Sequence, residues 1–379
     1  MKKNKGETMK VLFLGSQNIK ENVTSGGMQF SKRNFDLIAE LVDENNLFTA
    51  IVWNSKKEYA RNHFFERCSN NVDSLISSIK LCRLYKASQE KKILKYIAQV
   101  NPDILFLDAS ILGKILKKIN KNIKIIVYMQ NVEIEYAKNR VINEGAKYFP
   151  AYIATVYNEK LAVKCADKLI CLNDRDSRLV EKIYNRKTDF LLPIAFKDRF
   201  DPARICRKGS SNILLFIGSF FGPNYDGIKW FIKNVMLELK LKGYKLFIVG
   251  KDFEKVKTEL ENSNVEVIGT VEDLDEYYYR YFNIVMPIQY GAGMKVKTAE
   301  AMMFGMNIFA TDEALMGYNA DHVDGIFRCN TKEDFVREII QHSSRIEECC
   351  MNEEVRKIFV NSHCFGNQIE LMKKILFDW

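Results

Sequence analysis

At 379 residues the chain is long enough for two or three domains of about 150 residues, each with a core of its own. Apolar residues make up 47% and charged residues 28%, which is ordinary globular usage and excludes wholesale disorder and fibrous architecture. Lysines and arginines number 57 against 48 acids, a net charge of +9 that suggests an anionic partner: nucleotide phosphates, lipid headgroups or nucleic acid.

In chain order, residues 1–8 read as a basic extension (Lys2, Lys3, Lys5), with the fold starting near Met9. The apolar stretch at 11–14 is too short for a signal-peptide core, and no run approaches the about 18 apolar residues of a membrane span. A cytoplasmic location is the expectation. Residues 10–14 predict a first strand, closed by Gly15. From 30 to 42, Phe35, Leu37, Ile38 and Leu41 recur at helical spacing. Residues 47–53, 103–107 and 123–128 predict further strands. A helix over about 152–165 leads into a buried strand at 168–172. Strands that are apolar throughout, alternating with helices, predict a parallel sheet covered on both faces.

The pattern restarts in the second half. A strand at 212–217 precedes a Gly/Pro/Asn turn and a helix through Trp230 and Phe231. Strands follow at 244–249, 264–268, 282–286 and 307–310, the first three closed by Gly250, Gly269 and Pro287. Open α/β sheets place ligands at such strand ends. Between the halves, residues 193–211 are charged and aperiodic and carry Pro193, Pro202 and Gly209, which is linker chemistry. The expected architecture is α/β with two Rossmann-like domains facing a central cleft. These are residues 1–195, rejoined by a C-terminal helix at 360–379, and residues 196–359. The nine cysteines are scattered, with Cys349-Cys350 the only close pair, and show neither a C-x-x-C pair nor zinc spacing. They read as reduced thiols.

The most informative segment is 287–302, which follows a strand and opens a helix. Gly291 and Gly293 remove side chains where a ligand would approach the backbone. Ala292 and Met294 complete the loop. Amides at a helix start attract phosphate, and Lys295 and Lys297 add two cations there, with no acid until Glu300. Glu300 shares a helix face with Lys297. Taken as a site, this suits a diphosphate beside a diol, such as a nucleoside diphosphate with its ribose. Taken as plain structure, it is a glycine-rich turn, a solvated lysine pair and a Lys–Glu helix pair.

Residues 216–231 together with 291–318 resemble the C-terminal domain of family-four glycosyltransferases, retaining enzymes of the two-domain GT-B fold. The shared wording is the basic glycine-rich loop at 291–297, then Glu300-Ala301-Met302, then Gly305 ahead of the strand at 307–310. The N-terminal half is similar more loosely. Gly26-Gly27 stands for a glycine pair after the first strand, and Asn131-Val132-Glu133 for an N-x-E segment near the cleft. Ala166-Asp167-Lys168 opens a strand with Asn173 and Asp176 behind it, and Leu192-Pro193 matches the hinge. The chain also departs from the family. A paired upstream Glu is replaced by Ala292, and an Arg after the first strand of this domain by Ser219 beside Gly218. The N-terminal histidine has no match, the residue before Asn131 being Gln130.

The resemblance implies a donor nucleotide-sugar held by Gly26, Gly27, Gly218, Ser219, Gly269, Gly291, Ala292, Gly293, Met294 and Glu300. Lys295, Lys297, Asn131 and Glu133 are the implied catalytic set. Without an Asp-x-Asp pair, no metal or other cofactor is expected, and the acceptor is a saccharide or lipid-linked saccharide. Read without the resemblance, Gly26-Gly27 is equally a loop turn, and Asn131 and Glu133 a helix N-cap with a first-turn acid. The lysines at 114, 117, 118, 121 and 124 run without an acid between them, after Lys80, Arg83, Lys86, Lys91, Lys92 and Lys95. They suit a solvated face or an anionic membrane surface. Nucleic acid is not expected, since no base-stacking module accompanies the charge. The rival readings are a GT-B nucleotide-sugar epimerase and a non-catalytic nucleotide-sugar-binding protein. A dehydrogenase is disfavoured, since Gly15-Ser16-Gln17-Asn18 is no dinucleotide fingerprint.

Overall fold

Short runs of Ile, Leu, Val and Phe, each closed by a turn residue, become the strands. The computed structural model describes residues 9–19, 26–54, 62–206, 211–291, 293–343 and 351–379. The basic extension at 1–8, Gly209, Ala292 and the Cys349-Cys350 pair lie outside the described residues. The chain divides into two units. One runs to Pro193 and takes back Gln368–Trp379, and the other is Ile194–Asn367. The sequence placed these breaks at 195 and 360.

The first unit is a seven-stranded sheet in the order β3-β2-β1-β4-β5-β6-β7, parallel throughout. Its strands are β1 (Val11–Gly15), β2 (Leu47–Val52), β3 (Asn62–Phe65), β4 (Ile104–Leu107), β5 (Lys124–Met129), β6 (Lys168–Cys171) and β7 (Phe190–Leu191). Its helices are α1 (Gly26–Ala39), α2 (Asn71–Ile79), α3 (Glu90–Val100), α4 (Glu133–Glu144), α5 (Phe149–Cys165) and α6 (Asp174–Tyr184). Strands β1 and β4 are buried along their whole length. Phe13 of β1 stacks on Phe106 of β4 and meets Phe35 of α1 edge-on, which locks that helix to the sheet.

Two buried cations hold the returning C-terminal segment in this unit. Arg33 donates to Gln368 Oε1 at 2.7 Å, to the Pro193 carbonyl and to the Tyr128 hydroxyl at 2.7 Å. Lys168 Nζ donates to the carbonyls of Ile375 (2.8 Å) and Asp378 (2.5 Å) and lies 4.0 Å from the Trp379 ring centroid. These bonds account for a division at residue 368 rather than 360, within α14 (Phe365–Phe377).

The second unit is a six-stranded parallel sheet in the order β10-β9-β8-β11-β12-β13. The strands are β8 (Ile213–Ile217), β9 (Lys245–Val249), β10 (Val265–Gly269), β11 (Asn283–Met286), β12 (Asn307–Ala310) and β13 (Ile326–Arg328). The helices are α7 (Gly222–Asn234), α8 (Met236–Lys240), α9 (Lys257–Leu260), α10 (Asp275–Arg280), α11 (Val296–Met303), α12 (Lys332–His342) and α13 (Glu353–Ile358). The expected parallel α/β sheets are present in both units. Strands β3, β7 and β13 went unread because each is an edge strand of at most four residues.

Two expectations are corrected. Gly26 and Gly27 are not in a loop but in the first turn of α1. The lysine run is not one helix: Ser110–Lys118 is a 3-10 segment, and Lys124 opens β5. Ile115 and Leu116, inside this run, are buried, because Gly113 lets the segment press on α5; a Cβ there would strike the Asn158 carbonyl.

In the second unit α7 approaches the end of β11 so closely that a Cβ on Gly227 would strike the Pro287 carbonyl oxygen. Gly227→Val should therefore cost about 1–3 kcal/mol through overpacking. Urea unfolding reads this as a lower midpoint; an unchanged midpoint would refute the contact.

Candidate functional site

The second unit gathers its expected site residues at one edge of the sheet. The strand order turns back on itself between β8 and β11, which pair in parallel. That is the point where an open α/β sheet leaves a ligand crevice beyond its strand ends. Gly218 and Ser219 follow β8, and residues 287–293 follow β11. The Tyr290 hydroxyl hydrogen-bonds the Asp226 carboxylate, which ties the loop after β11 to α7. Behind them Gly250, at φ +145°, presses on Gly218, so that a Cβ would strike its carbonyl oxygen. Gly250 N donates to the carbonyl of Gly269 at 2.7 Å. Gly218, Gly250 and Gly269 thus line the ends of β8, β9 and β10. Sequence reasoning saw Gly250 only as a strand terminator.

The basic loop itself is ordered by carboxylates. Gly293 takes a left-handed φ of +66°, which a side chain would resist. Met294 is buried, which leaves its backbone to serve the loop. Lys295 Nζ donates to Glu313 Oε1 at 2.6 Å and to the Gly293 carbonyl at 2.8 Å. A Cβ on Gly291 would sit 3.3 Å from Lys295 Cε and 3.4 Å from Glu313 Oε1, so the missing side chain keeps this ion pair uncrowded. Lys295 is the N-cap residue of α11 and makes no side-chain cap, so no side chain of its own covers the first-turn amides.

Lys297 Nζ donates to Glu300 Oε2 at 2.6 Å, which confirms their shared face. Glu300 is buried, with the Tyr278 hydroxyl at 3.4 Å and Arg199 Nη2 at 3.5 Å. The plain lysine pair of the sequence is therefore two ion pairs. Sequence reasoning missed Glu313, Arg199 and Tyr278. The signal for Glu313 was its place just past β12, at the same carboxyl edge as the loop.

Gly26, Gly27, Asn131 and Glu133 lie in the first unit. Gly27 opens α1 beside Gln17 and Gln130: a Cβ there would come within 3.5 Å of Gln17 Nε2 and 3.7 Å of Gln130 Oε1. Gln130 belongs to a buried cluster around Asp108, at the end of β4. Asp108 accepts from Asn34 Nδ2 at 2.6 Å, from Gln130 Nε2 at 3.0 Å and from the Ser31 hydroxyl. Burial pushes the Asp108 carboxyl up to about 6, against these hydrogen bonds and the nearby Arg33 charge. The sequence reading passed over Asp108.

Asn131 is not the N-cap of α4; that position is Val132, whose side chain has nothing to offer. The cap is Glu159, fully buried on α5, whose Oε2 accepts from Glu133 N at 2.7 Å and whose Oε1 accepts from the Tyr184 hydroxyl at 2.7 Å. Glu133 itself is half-buried beside this carboxylate. Burial and Glu159 push its carboxyl up to about 7, opposed by the Arg83 charge and a hydrogen bond from Asn131. Among the described residues no group of three or more His, Cys, Asp or Glu side chains is placed to hold a metal ion. No described helix is long and apolar enough to cross a membrane.

Residues 211–344, from β8 through α12, match the family of glycosyl transferases group 1. A protein described as an uncharacterized 44.6 kDa protein in the cps region of Klebsiella pneumoniae is 25% identical over 239 residues, 58% of this chain and 60% of that one. The chain thus spans three-fifths of that relative's length. Among solved structures, sucrose-phosphate synthase of Thermosynechococcus elongatus is 12% identical with a TM-score of 0.69, over 97% of this chain and 98% of that one. HepE of Anabaena, solved in complex with UDP, is 10% identical with a TM-score of 0.65, over 98% and 100%. These structural likenesses are of fold: two parallel-sheet α/β domains, as the resemblance to GT-B enzymes implied.

The Asp108 carboxyl holds its proton to higher pH in the folded protein than in the unfolded chain. The stability this brings is complete below about pH 4 and is lost as pH rises through about 6. Asp108→Asn removes the step. Its urea midpoint, whatever its constant offset, should gain on that of the wild type between about pH 4 and about pH 7. Parallel midpoint curves would contradict the assignment.

Proposed function

We propose that the chain is a glycosyltransferase that moves a sugar from a nucleoside diphosphate to a hydroxyl of a saccharide or lipid-linked saccharide, with retention. The observation that carries this reading is the glycine-rich loop of 291–297, which sets Lys295 and Lys297 at an uncapped helix start within the segment of group 1 family likeness. The UDP bound by HepE supports a nucleoside diphosphate donor. The relative's place in a cps region supports a role in surface polysaccharide synthesis.

In this reading the diphosphate sits over the start of α11. The Gly291 and Gly293 backbone, with Gly218, Ser219 and Gly269 at the neighbouring strand ends, surrounds the nucleotide, and Glu300 takes the ribose diol. Met294 contributes backbone. The bond from the sugar C1 to the diphosphate oxygen breaks, and the acceptor oxygen bonds C1 on the same face. The acceptor proton passes to the leaving phosphate, so no histidine base is called for. Charge gathers on the diphosphate in the transition state, where Lys295, Lys297 and the helix amides stabilise it without a metal. Because Glu313 and Glu300 already hold both ammonium groups, little reorganisation is left for the reaction. Asn131 and Glu133 act on the acceptor side.

Lys295→Ala and Lys297→Ala should each lower kcat by about 10²-fold, the scale for removing one preorganised donor, and the double change should nearly abolish turnover. Glu300→Gln should raise the donor KM. Activity should persist in EDTA. Wild-type turnover in the double variant, or complete metal-reversible loss in EDTA, would sink this mechanism; product analysis separates transfer from epimerisation.

The same reading includes attachment to an anionic membrane face, now on a different surface from the lysine run. Lys114 and Lys118 are held by Glu90 at 2.7 and 2.8 Å, so part of that charge is neutralised. Beside it, α2 exposes Val72 (66%), Leu75 (47%), Ile76 (46%) and Ile79 (68%), an apolar stripe at helical spacing turned to solvent. Lys80 ends that helix, and its carbonyl accepts from Lys114 Nζ at 2.8 Å, so stripe and basic run adjoin. An apolar face rimmed by lysines suits the headgroup boundary of an anionic bilayer. The protein should pellet with anionic vesicles and not neutral ones, more weakly as salt rises. Leu75→Ser with Ile76→Ser and Ile79→Ser should release it, and Lys117→Glu with Lys121→Glu should weaken binding by ~1 kcal/mol per lysine. Unchanged pelleting of the serine variant would exclude this face.

A further inference from the structure

The first unit contains two half-buried arginines that, among the described residues, have no carboxylate within ion-pair distance: Arg67 and Arg83. A short backbone ribbon sets them side by side. Arg67 bridges Tyr85 in antiparallel fashion, Cys68 N donates to Leu84 O at 2.8 Å, and Lys86 N donates to Glu66 O at 3.1 Å. The Arg67 guanidinium lies 5.2 Å from the Trp53 ring centroid, and its Nη1 reaches the Ser16 carbonyl at 3.4 Å. Arg83 takes a left-handed φ of +50°, a strained backbone for a side chain of its size, and its Nε donates to Thr155 Oγ1 at 3.2 Å. Burial draws both guanidinium groups below their ordinary range. The charges of Arg140 and Arg67 press Arg83 further down, against Glu133.

The place is as telling as the charge. Ser16 follows β1, Trp53 follows β2, Arg67 lies just beyond β3, and Glu133 opens α4 after β5. All stand at the carboxyl edge of a parallel sheet, where such sheets bind ligands. A half-buried guanidinium with no described carboxylate at ion-pair distance has lost hydration without gaining an ion pair, and an incoming anion restores that. Its planar fork fits the paired oxygens of a carboxylate or a phosphate.

We propose that Arg67 and Arg83 form a subsite for an anionic group, a phosphate or a sugar carboxylate, carried by the acceptor saccharide. The acceptor label rests on the transferase reading above; the anion site itself does not. The test is a binding titration of the full chain with glucose 1-phosphate, glucuronate and glucose. At least one anionic sugar should bind about ten-fold or more tightly than glucose, the scale of a charge-assisted hydrogen bond. Preference for the first marks a phosphate and for the second a carboxylate. Arg67→Gln and Arg83→Gln should each remove that preference while UDP binding is kept, and the Lys295→Ala, Lys297→Ala double variant should retain it. No preference over glucose, or a preference lost in the lysine variant and kept in the arginine variants, would overturn the proposal. Should the glutamine changes unfold the chain, Arg67→Lys and Arg83→Lys keep the charge and lose the fork. They should weaken the anion several-fold, and an unchanged affinity would equally overturn the site. Failure of the transferase reading would appear as absent UDP binding or turnover in the unaltered chain, on which the preference for an anionic sugar over glucose does not depend.

Discussion

The second unit is arranged about the point where β8 and β11 lie side by side and their connections leave for opposite faces of the sheet. Two strand ends then stand next to one another with no covering helix between them. The chain must turn sharply there, and its backbone must come close. Gly250 against the Gly218 carbonyl, and Gly227 against the Pro287 carbonyl, are contacts that no other residue type makes without strain. They allow the amides of the post-β8 and post-β11 loops and the start of α11 to share one small region. The chemistry that needs closely spaced N–H groups follows from that approach of backbones, and the lysines are additions to it.

Those lysines show how a cation is held ready for an anionic ligand. A lysine on a flexible stem spends rotamer entropy to reach a single geometry. Here Glu313 fixes Lys295 and Glu300 fixes Lys297, each at 2.6 Å, and Glu300 is itself steadied by Tyr278 and Arg199. Such pairs add little to stability, since both lysines remain partly exposed. Their effect is on position. An ammonium group has three N–H donors, so a carboxylate partner orients it without using it up. The carboxylates also moderate the local positive charge.

Much of this was legible in the sequence, and the gaps have physical reasons. Apolar runs such as 11–14 and 307–310 show themselves because buried parallel strands admit few polar residues. The 291–300 loop shows itself because glycines, lysines and a glutamate at fixed offsets are local along the chain. Edge strands such as β7, with two residues, carry too little pattern to notice. What could not be read was pairing across long separations. Glu90 neutralises Lys114 and Lys118 from another helix, and Glu159 caps α4 from α5. Asp108 gathers Ser31, Asn34 and Gln130. Gly26-Gly27 was recognised as a pair and misplaced in a loop, since glycine marks a turn and a tight helix start alike.

The two units treat charge in opposite ways. In the second, each cation of the loop is matched to a carboxylate at 2.6 Å before any ligand arrives. In the first, Arg67 and Arg83 are held by a carbonyl, a hydroxyl and an aromatic face, all neutral, and Glu133, whose charge acts on Arg83, has its carboxyl pushed up to about 7. A neutral scaffold fixes the geometry of a guanidinium but leaves its charge unanswered. A group whose charge is already matched suits a ligand that must leave after every cycle. A group whose charge is unmatched favours a ligand that carries the missing charge, and on the proposed reading this discriminates among saccharides whose hydroxyls are otherwise alike. The carboxyl edge of a parallel sheet supplies both arrangements, the same architectural feature used twice; what differs is which side chains answer the cations.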